Sequence, residues 1–327
     1  MSDQKKEKKF SLPANVRDLL PAFVTLLVFG GIFTFNSNTF LTPSNMVNVL
    51  LQSTTNLIIG VGIFFVIMSG NFDLSGSAIL ALSTCVACKL SIDGVAAPLC
   101  WLAAIGVGAL CGAFNGFAVS KMKLVPFIAT LSTQYMCRGL ALVITNGYTY
   151  YGMSDTYIFL GNGSLGFMPM AILISLVLYI LIHFILKYTV WGHRLTAVGG
   201  NREAAKLAGI NTVKVQWQAY IFAGIMYAIA GIVMSGRTQS IMSTSANGAE
   251  MYAIAGIIIG GASMGGGRGT AYGVALGIFV VSMLSNGINM MGVGVYWTQF
   301  VTGLIIFIAI ALDVIRTVVM ARKKKMM

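Results

Sequence analysis

The chain has 327 residues, of which 57% are hydrophobic and only 9% charged. Soluble domains carry about 25% charged residues, so this composition excludes a water-soluble globular protein and predicts an all-α polytopic membrane protein. The net charge of +12 would suit a nucleic-acid binder, but the basic residues sit between apolar segments and at the two ends, as in loops that face anionic lipid.

Crossing the hydrocarbon takes about 20 apolar residues. Ten spans are predicted, at 19–36, 47–69, 75–92, 95–119, 124–145, 166–187, 215–235, 249–263, 270–289 and 296–318. With the N-terminus inside, every Lys and Arg except Lys89, Arg138 and Arg237 falls on the inner side. That bias predicts both termini in the cytoplasm. The whole chain, 1–327, reads as a single transmembrane domain, with basic tails at 1–18 and 319–327 and a long inner connection at 188–214. The segment after Lys9 lacks a small-x-small cleavage site, so it is expected to remain as the first span.

Soluble chemistry finds little support. Cys85-Val86-Ala87-Cys88 has metal or redox spacing, but no second pair or nearby histidine completes a site. His183 and His193 stand alone, and no hydrolase or HExxH pattern occurs, so neither an enzyme, a metal site nor a bound cofactor is expected. The glycine run 265–269 lacks the G-K-[ST] ending of a phosphate loop, which argues against ATP binding by this chain.

In the second and third spans the stretch MSGNFDLSGS, residues 68–77, interrupts the apolar run and carries the carboxylate of Asp73. A similar order of features recurs later. Met68-Ser69-Gly70 echoes Met234-Ser235-Gly236, and one isolated acid follows each, Asp73 and Glu250. Asn115-Gly116 matches Asn286-Gly287, and Thr133-Gln134-Tyr135 matches Thr298-Gln299-Phe300. Spans 2–5 and 7–10 would run in opposite directions across the bilayer, placing one acid toward each side. An inverted internal repeat of this kind is a transporter signature. Polar side chains inside apolar spans are costly and mark candidate pathway residues: Asp73, Asn115, Gln134, Arg138, Glu250, Asn286, Asn289 and Gln299. Amides can donate and accept hydrogen bonds, which suits a neutral polyol, although they also join helices. Asp73 or Ser75 is equally a candidate cap for the third span, and Arg138 needs a counter-charge, with Asp73 a candidate, or a cage of carbonyls.

The inner connection has its own pattern. Gly199-Gly200-Asn201 reads as a turn, Asn201 as the N-cap of a short helix from Arg202 to Leu207, and Gly209 as its stop. A six-residue polar helix is too short to stand alone and is expected to dock onto a partner. The outer stretch 146–164 is polar, with four tyrosines and no basic residue.

In these motifs the chain resembles the transmembrane permease subunits of bacterial sugar ABC importers, in the ribose, xylose and galactose branch. The resemblance rests on Asp73-Leu74-Ser75 with Ala78-Ile79-Leu80-Ala81-Leu82, on Phe127-Ile128-Ala129-Thr130-Leu131, and on Ala197-Val198-Gly199-Gly200-Asn201 with Glu203-Ala204-Ala205 and Gly209-Ile210-Asn211. Glu250 with Ala253-Ile254-Ala255, and Asn286-Gly287-Ile288-Asn289, extend it. The chain departs from the family at Asn71-Phe72, where glycine-isoleucine is usual, and at Tyr252, where a second acid is common. The resemblance implies a transport subunit of the bacterial inner membrane that carries a monosaccharide. Separate ATPase subunits would dock at Gly192, Gly199, Gly200, Asn201, Arg202, Glu203, Ala204, Ala205 and Gly209. A periplasmic binding protein would deliver the solute, and a second permease subunit would complete the pathway. Rival readings are an ion-coupled secondary transporter and a permease for nucleosides or a furanosyl signal molecule.

Overall fold

The computed structural model of the chain describes residues 14–292 and, beyond them, positions 297, 300, 301, 303, 304, 307, 308 and 311. The span expected at 296–318 and the candidate Gln299 thus lie wholly or largely outside the described residues. In chain order the elements begin with α1 (Ala14–Asn36), α2 (Pro43–Met68), α3 (Gly76–Ile92), α4 (Ala97–Ser120) and α5 (Pro126–Thr145). Then come β1 (Tyr150–Tyr151), α6 (Asp155–Asn162), β2 (Ser164–Leu165), β3 (Met168–Pro169) and α7 (Met170–Tyr188). The inner connection forms α8 (Val190–Gly200) and α9 (Arg202–Leu207). The second half holds α10 (Thr212–Thr238), β4 (Ser240–Ile241), α11 (Ala249–Ile259) and α12 (Ala271–Met290).

Among the described residues, α1, α2, α4, α5, α7, α10 and α12 are long and apolar enough to cross a membrane. The expected third and eighth spans are not full crossings. At 1.5 Å per residue, α3 is about 25 Å long and α11 about 16 Å, short of a hydrocarbon core of about 30 Å. Each begins after non-helical chain, so hydropathy alone overstated them. The helices α2, α10 and α12 are mostly buried, whereas α1, α4, α5 and α7 expose apolar side chains such as Leu27, Leu110, Val143 and Phe184 at the periphery, as lipid contact requires.

Close packing against α10 is set by glycine. Gly108, Gly112 and Gly116 recur every fourth residue on α4 and lie on one face. A Cβ on Gly112 would stand 3.0 Å from the Ile221 Cα, and one on Gly116 3.1 Å from the Trp217 Cα. This small-residue stripe lets the two backbones touch, and Trp217 Nε1 donates to the Ala113 carbonyl at 2.9 Å across the same seam.

The Met-Ser-Gly echo is used differently in the two halves. After α2, Gly70 adopts φ +80°, its N–H meets the Ile67 carbonyl, and the Asn71 N–H meets that of Val66, a Schellman stop. In the second half the helix runs on through Met234-Ser235-Gly236 to Thr238. There Gly236 makes room for α6, a Cβ standing 2.8 Å from the Ile158 carbonyl oxygen and 3.0 Å from the Gly161 Cα. The break comes instead at Gln239, which is left-handed at φ +51°.

The stretch 146–164 carries regular structure of its own. Strand β1 pairs antiparallel with β4, β2 with β3, and Ser154 caps α6. Tyr157 is fully buried, its hydroxyl 3.1 Å from Ser235 Oγ.

Candidate functional site

Between α2 and α3 the chain climbs along α10 without helical structure. Gln216 Nε2 donates to the Ser69 carbonyl at 3.4 Å, Tyr220 Oη to the Phe72 carbonyl at 2.8 Å, and Tyr227 Oη to Asp73 Oδ2 at 3.0 Å. From Gln216 to Tyr227 is about 16 Å of helix, so the segment starts at the α8–α9 end of the molecule and brings Asp73 level with the middle of α10. Irregular backbone at that depth persists only if every polar group finds a partner. Here Leu74 N donates to Thr130 Oγ1 at 3.2 Å, and Ser75 N to Asp73 Oδ1 at 2.9 Å. Ser75 is the N-cap of α3 but its side chain makes no capping bond; its hydroxyl donates to Asp73 Oδ1. The carboxylate therefore organises the turn that starts α3.

A chain of bonds continues from there. Asn115 Nδ2 donates to Ser75 Oγ at 2.8 Å, and Thr133 Oγ1 donates to Asn115 Oδ1 at 2.6 Å. On α5, Thr130, Thr133, Gln134 and Arg138 share one face by their spacing. Gln134 Nε2 donates to Glu250 Oε1 at 3.3 Å, in the first turn of α11. Arg138 Nη1 donates to the carbonyls of Ser243 at 2.6 Å and Ser245 at 2.9 Å, and its Nη2 donates to Ser77 Oγ at 3.0 Å. Of the two alternatives for Arg138, the structure has the carbonyl cage, and the guanidinium makes no bond to Asp73. It joins the first turn of α3 to the turn that precedes α11. Both broken elements are held by the same face of α5.

Glu250 is 3% exposed, and its Oε2 has no hydrogen-bond partner among the described residues. Ser77 and Arg138 stand beside the same carboxylate, together with Gln134. The remaining candidates divide. Asn286 is engaged with Asn45 through reciprocal amide bonds of 3.1 and 3.3 Å, clasping α12 to α2, while Asn289 is exposed near the end of α12. Sequence reasoning did not single out Tyr220, Tyr227, Ser77, Thr130 and Thr133. The available signal was the polar spacing Thr130, Thr133, Gln134, Arg138 in an apolar span.

In the α8–α9 connection, Asn201 Oδ1 accepts from Ala204 N at 3.0 Å, and Gly209, at φ +80°, closes α9 with its N–H on Lys206 and that of Ile210 on Ala205. Cap and stop agree with the residues expected. The expected Gly199-Gly200-Asn201 turn does not form: Gly199 and Gly200 finish helix α8, because a preceding turn, capped by Thr189 on Gly192 N at 3.1 Å, already set that helix going. Gly192 lies against α7, a Cβ there standing 2.6 Å from the Leu186 Cα. Asn201, Arg202, Glu203 and Ala204 are exposed and Ala205 is buried, while Leu207 is 90% exposed.

Two interrupted helices meeting at buried polar groups, in a bundle of apolar spans, define a polytopic membrane transport protein. Residues 45–310 match the family described as the permease component of the branched-chain amino acid transport system, and the chain belongs to this permease family. It is 35% identical over 312 residues to the ribose import permease protein of Bacillus subtilis, covering 95% of this chain and 97% of that protein. It is 33% identical over 296 residues to the ribose import permease protein of Escherichia coli K12, covering 89% and 92%. Against the D-allose transport system permease protein of E. coli K12 it is 33% identical over 314 residues, covering 95% and 96%. No solved structure matches the chain.

Proposed function

We propose that this chain is the membrane-spanning subunit of an ATP-binding-cassette importer of the bacterial inner membrane, passing a monosaccharide of the ribose or allose kind named for its relatives. The observation that carries the reading is the junction of α3 and α11 on the polar face of α5, with Arg138 bonded to both approaches and Gln134 bonded to Glu250. Gln134, Glu250, Asp73 and Arg138 border the path; Asn115 and Asn286 hold helices in place. The chain acts as one domain with both termini in the cytoplasm, where the exposed residues Asn201 to Ala204 of α9 receive the ATPase subunits; Gly192, Gly199 and Gly200 of α8 support that helix from outside the contact. ATP is hydrolysed on those partners. A periplasmic binding protein delivers the sugar at the β1–β4 end, and two permease subunits, identical or closely related, build the pathway.

Reconstitution in liposomes with the ATPase and binding protein tests this. Labelled ribose or allose accumulates only with ATP inside the ATPase-facing compartment. Accumulation by the isolated chain under an ion gradient would overturn the reading.

A further inference from the structure

Three distant stretches of chain meet where no side chain intervenes. Gly70 ends α2, Gly199 and Gly200 end α8, and Gly266 and Gly267 lie in the loop between α11 and α12. Gly267 N donates to the Met68 carbonyl at 3.2 Å. A Cβ on Gly199 would fall on that same carbonyl oxygen and 2.6 Å from Gly267 N. A Cβ on Gly266 would stand 2.8 Å from the N and Cα of Gly70 and 2.9 Å from the Gly199 carbonyl oxygen. Gly70, Gly266 and Gly267 all have positive φ, at +80°, +86° and +67°, so the glycines facing Gly199 are held in backbone conformations that favour glycine.

We propose that Gly199 is a positioning residue, touching neither ATPase nor solute, through which movement of the α8–α9 connection reaches both broken helices at once. This rests on the reading of α9 as the ATPase-docking segment. On one side the displacement passes from Met68 and Gly70 into the climbing segment, whose third residue beyond Gly70 is Asp73. On the other it passes through the 263–269 loop to the end of α11. That helix is a rod only about 16 Å long, so a push on Gly260 is felt at Glu250. Backbone packed on backbone has no rotamers to absorb a shift, and tightly packed contacts transmit strain. A cavity of about 270 Å³, bordered by Met68, Lys187, Thr196, Gly267 and Thr270, lies beside the junction and leaves room for the loop to move.

The test uses the assembled importer in liposomes. Gly199→Ala keeps ATPase association and basal ATP hydrolysis, while stimulation by loaded binding protein falls about tenfold. Gly200→Ala, where a Cβ meets nothing within 4 Å, behaves as wild type. Equal stimulation in Gly199→Ala and wild type overturns the proposal. So does loss of ATPase association in that variant, which would make Gly199 part of the docking surface. A wild-type chain that never binds the ATPase instead refutes the docking reading itself. Hydrogen exchange on the wild-type complex is independent of how the variant folds: a non-hydrolysable nucleotide changes protection of 69–75 and 263–270 together. Change confined to 189–211 would overturn the transmission role.

Discussion

Replacing Asp73 separates its part in the fold from any part in transport. In Asp73→Ala, Ser75 N, Ser75 Oγ and Tyr227 Oη lose their acceptor, and both residues are completely buried. Each stranded donor costs about 1–3 kcal/mol, so the variant should lose about 3–9 kcal/mol in all. Asp73→Asn retains Oδ1 for Ser75 and turns an amide toward the Tyr227 oxygen, so its loss should stay near 1 kcal/mol. Tyr227→Phe removes one stranded donor, and Asp73→Ala with Tyr227→Phe should therefore cost about 1–3 kcal/mol less than the sum of the single changes. Thermal unfolding of the purified subunit in detergent reads these differences: the alanine variant should melt about 4 °C lower or more. An alanine variant as stable as wild type would refute the turn-organising role. If the asparagine variant is stable yet transports nothing, the carboxylate is needed for passage as well.

The remaining predictions address the other joints. Leu207→Asp, on a side chain 90% exposed, should reduce co-purification of the ATPase without lowering the melting temperature. Arg138→Gln removes charge-assisted bonds to Ser243, Ser245 and Ser77; it should cost about 3 kcal/mol and abolish uptake while ATPase pull-down persists. Gly112→Val places atoms on the α10 backbone and should destabilise by about 1–3 kcal/mol or more, measured as loss of folded protein in detergent. Gly106→Val, where a Cβ meets nothing within 4 Å, should be tolerated.

The membrane class and the described full crossings were legible because the apolar runs are properties of composition along the chain. Local chemistry was legible too: Asn201 accepts from the N–H three residues on, and Gly209 stops the helix it follows. What depended on approach by remote chain was not. Hydropathy does not distinguish a helix that crosses the membrane from one that starts within it, so α3 and α11 looked like full spans. The same three letters end a helix at Gly70 and admit α6 at Gly236, since the choice is made by neighbours elsewhere in the sequence. Gly199 and Gly200 are indistinguishable as letters, yet only Gly199 meets Met68 and Gly267. Asn286 was a candidate for contact with solute until its amide was found on Asn45, 241 residues away.

The convergence of α3 and α11 also bears on what the passage keeps out. A helix N-terminus carries about half a positive charge, and two of them meet here beside one guanidinium. Taken at formal charge, Asp73 and Glu250 bring the local sum close to zero. Under the proposed function a neutral sugar would meet donors and acceptors with no net field, whereas a stray proton, sodium or chloride ion would find no well of its own sign preference to offset its dehydration. The same acids and half-helices that hold the interior together would thus make such a path electrically quiet, letting a solute pass without short-circuiting the membrane potential. Glu250→Gln would tilt that balance positive, and an anion leak in otherwise sealed vesicles is the expected trace.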